Sequence, residues 1–254
     1  LIFLVMITCF TVWWLYTMVY IWASGTIVPN ANNYPINSVV WTAQNRIFWI
    51  FHWFFGVWNY FFIIGLSQFT VATMACIWYF AQGRKEPMGN PLFRALCRGT
   101  FFHLGSIAFG SLIIALVFIV RVIIQYCHEK LKEVGEKTGT NKVQDVAFKC
   151  INCCIECFER FIRFITRHAY IQIAMTGKSF CASAQEAFFL ALRNGVRFAA
   201  VESIGSFFIF FGEFCITLVA MILSYVAVLK IHAFSANLFS GVLPIIIVGC
   251  IGYL

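Results

Sequence analysis

Two runs of this chain, residues 1–23 and 47–80, contain no Asp, Glu, Lys or Arg. A helix in a water-soluble domain keeps one polar face, whereas these runs meet the requirement for crossing a bilayer. That requirement is about 20 apolar residues, each rising about 1.5 Å and pairing its own backbone amides across a hydrocarbon core about 30 Å thick. Three further runs follow: 101–126, interrupted by Arg121; 198–229, which carries Glu202 and Glu213; and one that starts near Phe239 and is still apolar at residue 254. The predicted fold is all-α, a polytopic transmembrane helical bundle with about five membrane segments. Only 11% of residues are charged, against about a quarter in soluble domains, which excludes a disordered chain, a nucleic-acid module and a disulfide-stapled secreted domain. Because an apolar run stands at each end, the sequence reads as a fragment of a longer membrane protein.

The connections divide the chain into 1–126, with the first three segments; 127–200, a basic linker; and 201–254, with the last two. Residues 24–46 are turn-rich, with Pro29, Asn30, Asn32, Asn33, Pro35 and Asn37, the composition of an ordered loop at the water boundary. Residues 82–98 end the long second helix with glycines, prolines and four basic side chains, and 127–200 holds eleven of the 18 Lys/Arg and seven of the ten acids. Basic loops face the cytoplasm, yet one apparent crossing separates these two. Either the third segment dips and returns, or part of 161–200 crosses unrecognised, or the shorter loop breaks the rule. The eleven basic residues place the large linker in the cytoplasm as an amphipathic helical element, with Phe158, Phe161, Ile162 and Ile165 on one side and Glu159, Arg160, Arg163 and Arg167 on the other.

On the second segment Trp58, Phe61, Gly65, Gln68, Ala72, Cys76 and Tyr79 recur at helical spacing and form one stripe of aromatic, small and polar groups. A lipid-facing stripe has no use for Gln68, which needs a partner in hydrocarbon, so the stripe faces either neighbouring helices or a substrate path. Trp49 and Trp53 stack one turn upstream with His52 between them. Arg121 and Glu213 are intramembrane charges, costly to desolvate. Arg121 either snorkels to the headgroups or pairs, and Glu213 either balances a cation or proton or pairs with Arg121. Cys150, Cys153, Cys154 and Cys157 stand at i, i+3, i+4 and i+7, and one continuous helix spreads them over about 10 Å, too far for all four to hold one tetrahedral zinc, which leaves one pair with outside ligands as the minor alternative. They form a soft stripe open to palmitoylation. No phosphate loop, His-Glu-x-x-His or Gly-x-Ser-x-Gly elbow is present, and nothing in the chain calls for a catalytic residue, a metal or a cofactor.

Several blocks in linked order resemble the choline transporter-like family: Trp58, Gln68 and Ala72 leading to Ile77-Trp78-Tyr79-Phe80; Pro91-Leu92; His103-Leu104-Gly105-Ser106 to Ser111; the cysteine-rich helix; His168-Ala169-Tyr170-Ile171; Gly177-Lys178-Ser179-Phe180-Cys181-Ala182-Ser183-Ala184; Ala187-Phe188; Arg193-Asn194; and Phe211-Gly212. The resemblance spans 49–229. Where the family has Asn before Ala-Tyr, this chain has His168. It implies a bundle of about ten helices, of which this chain is the C-terminal half, moving choline or a related organic cation by a facilitative or alternating-access carrier. The partners implied are that cation, the lipid bilayer and the missing N-terminal half, with no nucleic acid. The plasma membrane is the expected location, an organellar membrane the alternative.

A quaternary ammonium is held by aromatic faces, each contributing about 0.5 to 2 kcal/mol, so Trp53, Trp58, Tyr60, Gln68 and Tyr79 are the expected substrate-binding residues. The rival reading is a structural subunit of a larger complex with other membrane subunits, its transport lost. An aromatic, water-accessible cavity of about 300 Å³ or more favours transport.

Overall fold

The computed structural model describes residues 2–28, 38–81, 90–136 and 142–230. Its helices are α1 (Ile2–Ala23), α2 (Ala43–Ala81), α3 (Pro91–Cys97), α4 (Leu104–Glu136), α5 (Lys142–Thr176), α6 (Phe180–Arg193) and α7 (Gly195–Lys230), with a π-helical turn over Arg98–Phe102. Two three-residue strands, β1 (Thr26–Val28) and β2 (Ser38–Val40), pair antiparallel in a small hairpin between α1 and α2, with Thr26 opposite Val40. Among the described residues the structure is all-α apart from that hairpin. Among the described residues, four helices are long and apolar enough to cross a membrane: α1, α2, α4 to Lys132 and α7 to Ala227. They correspond to the first four segments expected from sequence, while the fifth, from Phe239, lies outside the described residues. The chain is an integral membrane protein.

Local chemistry sets the helix ends. The Asn90 side chain accepts from the Leu92 amide at 3.1 Å, and Pro91 follows at the first helical position, where its missing N–H costs nothing. Gly177, at φ +71°, closes α5 as its amide bonds the Ile173 carbonyl at 2.8 Å. Only glycine adopts that conformation without strain.

The chain forms two compact units, Leu1–Phe189 and Leu190–Leu254. The core of the first unit joins Leu66 and Phe69 of α2, Ile107 of α4, Ala169, Tyr170 and Ile173 of α5, and Phe180 of α6. In the second unit α7 is a long apolar helix with Phe207, Phe208 and Phe211 exposed.

The two faces of α5 are used differently from the sequence expectation. Glu159 is buried and Arg163 half-buried, whereas Phe158 and Phe161 are exposed. Periodicity shows that a helix has two faces, but a polar face packs inward when a neighbouring helix carries the countercharge, and Arg121 on α4 carries it. The third segment is one unbroken helix and does not dip and return.

Candidate functional site

Aromatic residues at one end of α1 and α2 form a continuous cluster. Trp22 meets Trp41 at 5.1 Å and Trp49 at 5.5 Å, Trp49 meets Trp53 at 6.3 Å, and Trp53 meets Trp14 at 5.2 Å, mostly edge to face. Trp14 lies flat on His52, ring centroids 5.4 Å apart and planes within 4°. The Trp14 indole N–H donates to the His52 carbonyl at 3.2 Å, and His52 Nε2–H donates to the Trp14 carbonyl at 3.2 Å. This reciprocal pair fixes the histidine tautomer and pins α1 to α2. It depends on Gly56, where a Cβ would stand 2.1 Å from the Trp14 indole nitrogen.

Beside this cluster α1 and α2 enclose an open groove of about 450 Å³, lined by Tyr20, Ile21, Ser24, Asn45, Phe48, Phe51, His52 and Phe55. Asn45 Nδ2 donates to the Ser24 carbonyl at 3.0 Å, which places polar groups at one end of an otherwise aromatic wall. Aromatic faces with a few polar atoms and no cation among the lining residues suit a positively charged ligand.

The sequence-predicted residues fall along α2 in different settings. Trp53 is exposed within the tryptophan cluster, Tyr60 is exposed and edge-on to Phe61 at 5.6 Å, and Tyr79 is exposed near the far end. Gln68 is half-buried. Trp58 reaches into the α2–α4 contact, its indole N–H donating to the Ala108 carbonyl at 3.1 Å. The structure brings Trp53 into the aromatic cluster, while Trp58 ties two helices together.

Arg121 contacts two carboxylates on α5, Glu159 at 2.9 Å and Glu156 at 3.7 Å. Glu159 also accepts from Arg163 at 2.6 Å, and the Arg163 guanidinium lies 4.8 Å from the centre of the Phe61 ring. This network links α2, α4 and α5. Glu213 lies on an exposed face of α7. Cys150, Cys153, Cys154 and Cys157 carry free, exposed thiols on the side of α5 turned away from the bundle.

Sequence reasoning missed the residue at the centre of the packing. Tyr170, almost fully buried, passes between α2 and α4 and donates its hydroxyl to the Ile107 carbonyl at 3.0 Å. A Cβ at Gly65 would meet that hydroxyl at 3.0 Å and one at Gly110 at 2.6 Å, so both helices are shaped to the tyrosine. The signal was present as glycine in two apolar runs, but spacing along one helix cannot say which side chain fills the gap. Trp14 was legible only as part of an interfacial belt, and the Glu159 pairing only as a charge on a linker.

Comparison with known proteins agrees with this architecture. All residues, 1–254, match the family model described as plasma-membrane choline transporter. The chain is 34% identical over 253 residues to choline transporter-like protein 2 of Dictyostelium discoideum, covering 99% of this chain and 39% of that protein. It is 39% identical over 168 residues to choline transporter-like protein 2 of Xenopus laevis, covering 66% of this chain and 23% of the relative. Choline transporter-like protein 5-A of Danio rerio is 42% identical over 161 residues, 63% of this chain and 22% of its own length. The chain therefore spans about two-fifths or less of the length of these curated relatives. A match along the whole sequence, on a helical membrane architecture, means that this chain belongs to the choline transporter-like family.

Proposed function

We propose that the full-length protein carries choline or a related organic cation across the plasma membrane, and that α1 and α2 of this chain supply part of the cation path. The observation that carries the reading is the family match over residues 1–254. The groove of about 450 Å³ supports it with chemistry: Tyr20, Phe48, Phe51 and Phe55 offer ring faces to a quaternary ammonium, and Ser24 and Asn45 offer polar atoms to a hydroxyl. A trimethylammonium group donates no ordinary hydrogen bond, so ring faces are its natural partners. We assign Trp53 to the edge of this recognition surface, and Trp58, Tyr60, Gln68 and Tyr79 to the course of the path along α2. An inside-negative potential favours cation entry by about 2.3 kcal/mol per charge per 100 mV, so no coupling ion is strictly required.

The test is uptake of radiolabelled choline into proteoliposomes holding the full-length protein under an imposed inside-negative potential. The expected result is saturable, potential-driven uptake. Removing one ring face, as in Trp53→Ala or Phe55→Ala, weakens apparent affinity by about twofold to thirtyfold. Uptake unchanged in both variants removes the groove from the path. No uptake above empty liposomes, with folded protein verified, rejects choline transport.

A further inference from the structure

We infer that α3 and the π-helical turn after it form a membrane-surface anchor that holds the phosphates of anionic phospholipids with Arg94 and Arg98. The inner side of this segment is built for close packing. Ala95 is fully buried, and a Cβ at buried Gly99 would stand 3.0 Å from the Leu66 side chain and 3.2 Å from the Phe69 ring. Ala95 and Gly99 are four residues apart, so one stripe of small residues seats the segment on α2. Its other sides have no such cover. Phe93 is 66% exposed, Phe101 80% and Phe102 78%, the last two being the most exposed large apolar side chains among the described residues of the first unit. Arg94 and Arg98 are exposed as well, one turn apart. Among the described residues no carboxylate forms an ion pair with either guanidinium.

Position and charge name the occupant. The π-helical turn closes at His103, whose amide bonds the Arg98 carbonyl at 3.2 Å, and α4 begins its membrane-length stretch at Leu104. Phe101 and Phe102 therefore stand at the edge of the hydrocarbon, where aromatic side chains gather. Arg98, six residues before Leu104, lies at most about 9 Å farther out, and the headgroup layer is about 5 to 8 Å deep on each side. A guanidinium on a long apolar stem reaches across that difference and takes a phosphate with two parallel N–H donors. An anionic bilayer surface satisfies rings and arginines together, whereas water alone leaves three large rings uncovered. In sequence, residues 82–98 hold four basic side chains and one acid, Glu86, a bias that favours an anionic partner. Anionic headgroups concentrate in the cytoplasmic leaflet. The anchor thus sets this end of α4 at the cytoplasmic face, reversing the orientation expected from the basic count of 127–200. It does not depend on which substrate is carried.

The experiment follows thermal unfolding of the full-length protein in a neutral detergent while phosphatidylserine, phosphatidylglycerol or phosphatidylcholine is added at constant salt. The expected result is that both anionic lipids raise the unfolding midpoint and phosphatidylcholine does not. Arg94→Gln with Arg98→Gln is expected to need about thirtyfold more anionic lipid for the same rise, from about fivefold per arginine, while keeping the wild-type midpoint in phosphatidylcholine. Lys130→Gln with Lys149→Gln removes the same charge elsewhere and is expected to respond as wild type does. An equal response in the Arg94 and Arg98 double variant overturns the site, and so does a wild-type response to phosphatidylcholine as large as that to the anionic lipids. Inorganic phosphate that raises the midpoint as much as lipid-borne phosphate overturns the membrane-surface assignment in favour of a soluble anion. Should the arginine variant fail to fold, a salt series on wild type decides. The response to anionic lipid is expected to fall as salt screens the arginines, and a response that salt leaves unchanged overturns the proposal.

Discussion

Tyr170 and Glu159 show how single side chains hold helices that have little hydrophobic reason to associate in lipid. Tyr170→Phe removes the donor to the Ile107 carbonyl and is expected to cost about 1 kcal/mol. Gly110→Val drives a side chain toward the Phe180 ring and the Tyr170 hydroxyl, both 2.6 Å from where a Cβ would stand, and is expected to cost about 1 to 3 kcal/mol or more. Thermal unfolding in detergent by size-exclusion fluorescence measures both, and a Gly110→Val protein as stable as wild type would show that Tyr170 has room to move. Glu159→Gln leaves Arg163 without its carboxylate and Arg121 with only Glu156, 3.7 Å away, and because both arginines are partly exposed the expected cost is about 1 to 3 kcal/mol. The double variant Arg121→Leu with Glu159→Leu is expected to recover much of that loss. The arginine and the glycines were legible as residues. Their partners were not, because a partner some 40 to 105 positions away leaves no mark in local spacing.

At the scale of elements, the sequence places α1, α2 and α7 and the start of α4 within a few residues, since long uncharged runs have one stable form in lipid, whereas α4 continues to Glu136, ten residues past the end of its apolar run at 126. The turn from α5 to α6 was not legible. There Lys178 reaches Glu186 of α6, and Gln172 Nε2 donates to the same carboxyl at 3.0 Å. The lysine, and then the glutamine, hold the Glu186 carboxyl below the usual carboxylate range. A lowered folded value means that the contact stabilises above the unfolded carboxylate value and is lost as pH falls through the folded one. Hydrogen exchange over 176–186 is expected to rise as pH drops below the ordinary carboxylate range and, at neutral pH, in Glu186→Gln. Equal protection in wild type and variant would show that Gly177 alone shapes the turn. Between α1 and α2, Gly56→Val is expected to expel Trp14 and separate the helices, read as a red-shifted tryptophan emission. The tryptophans themselves were visible in sequence, but only the tertiary pairing distinguishes Trp14, turned onto His52, from Trp13, left exposed.

For the whole molecule, composition and the lengths of the apolar runs by themselves determined a helical membrane protein, because hydrocarbon tolerates no unpaired backbone and few charges. The linked order of motifs indicated the family. What only the tertiary structure decided was the use of α5. Its sequence is charged and amphipathic, a pattern equally suited to a water-exposed linker and to a helix whose polar face meets another polar face. Hydropathy averages each helix as though it stood alone, whereas the free energy of Glu159 or Arg163 depends on Arg121 and Phe61, which arrive from other parts of the chain. The same reason separates the two tryptophans expected at the site: Trp53 and Trp58 are five residues apart on one helix, and the neighbours that fold against them leave one exposed among aromatic rings and bond the other to a carbonyl of α4.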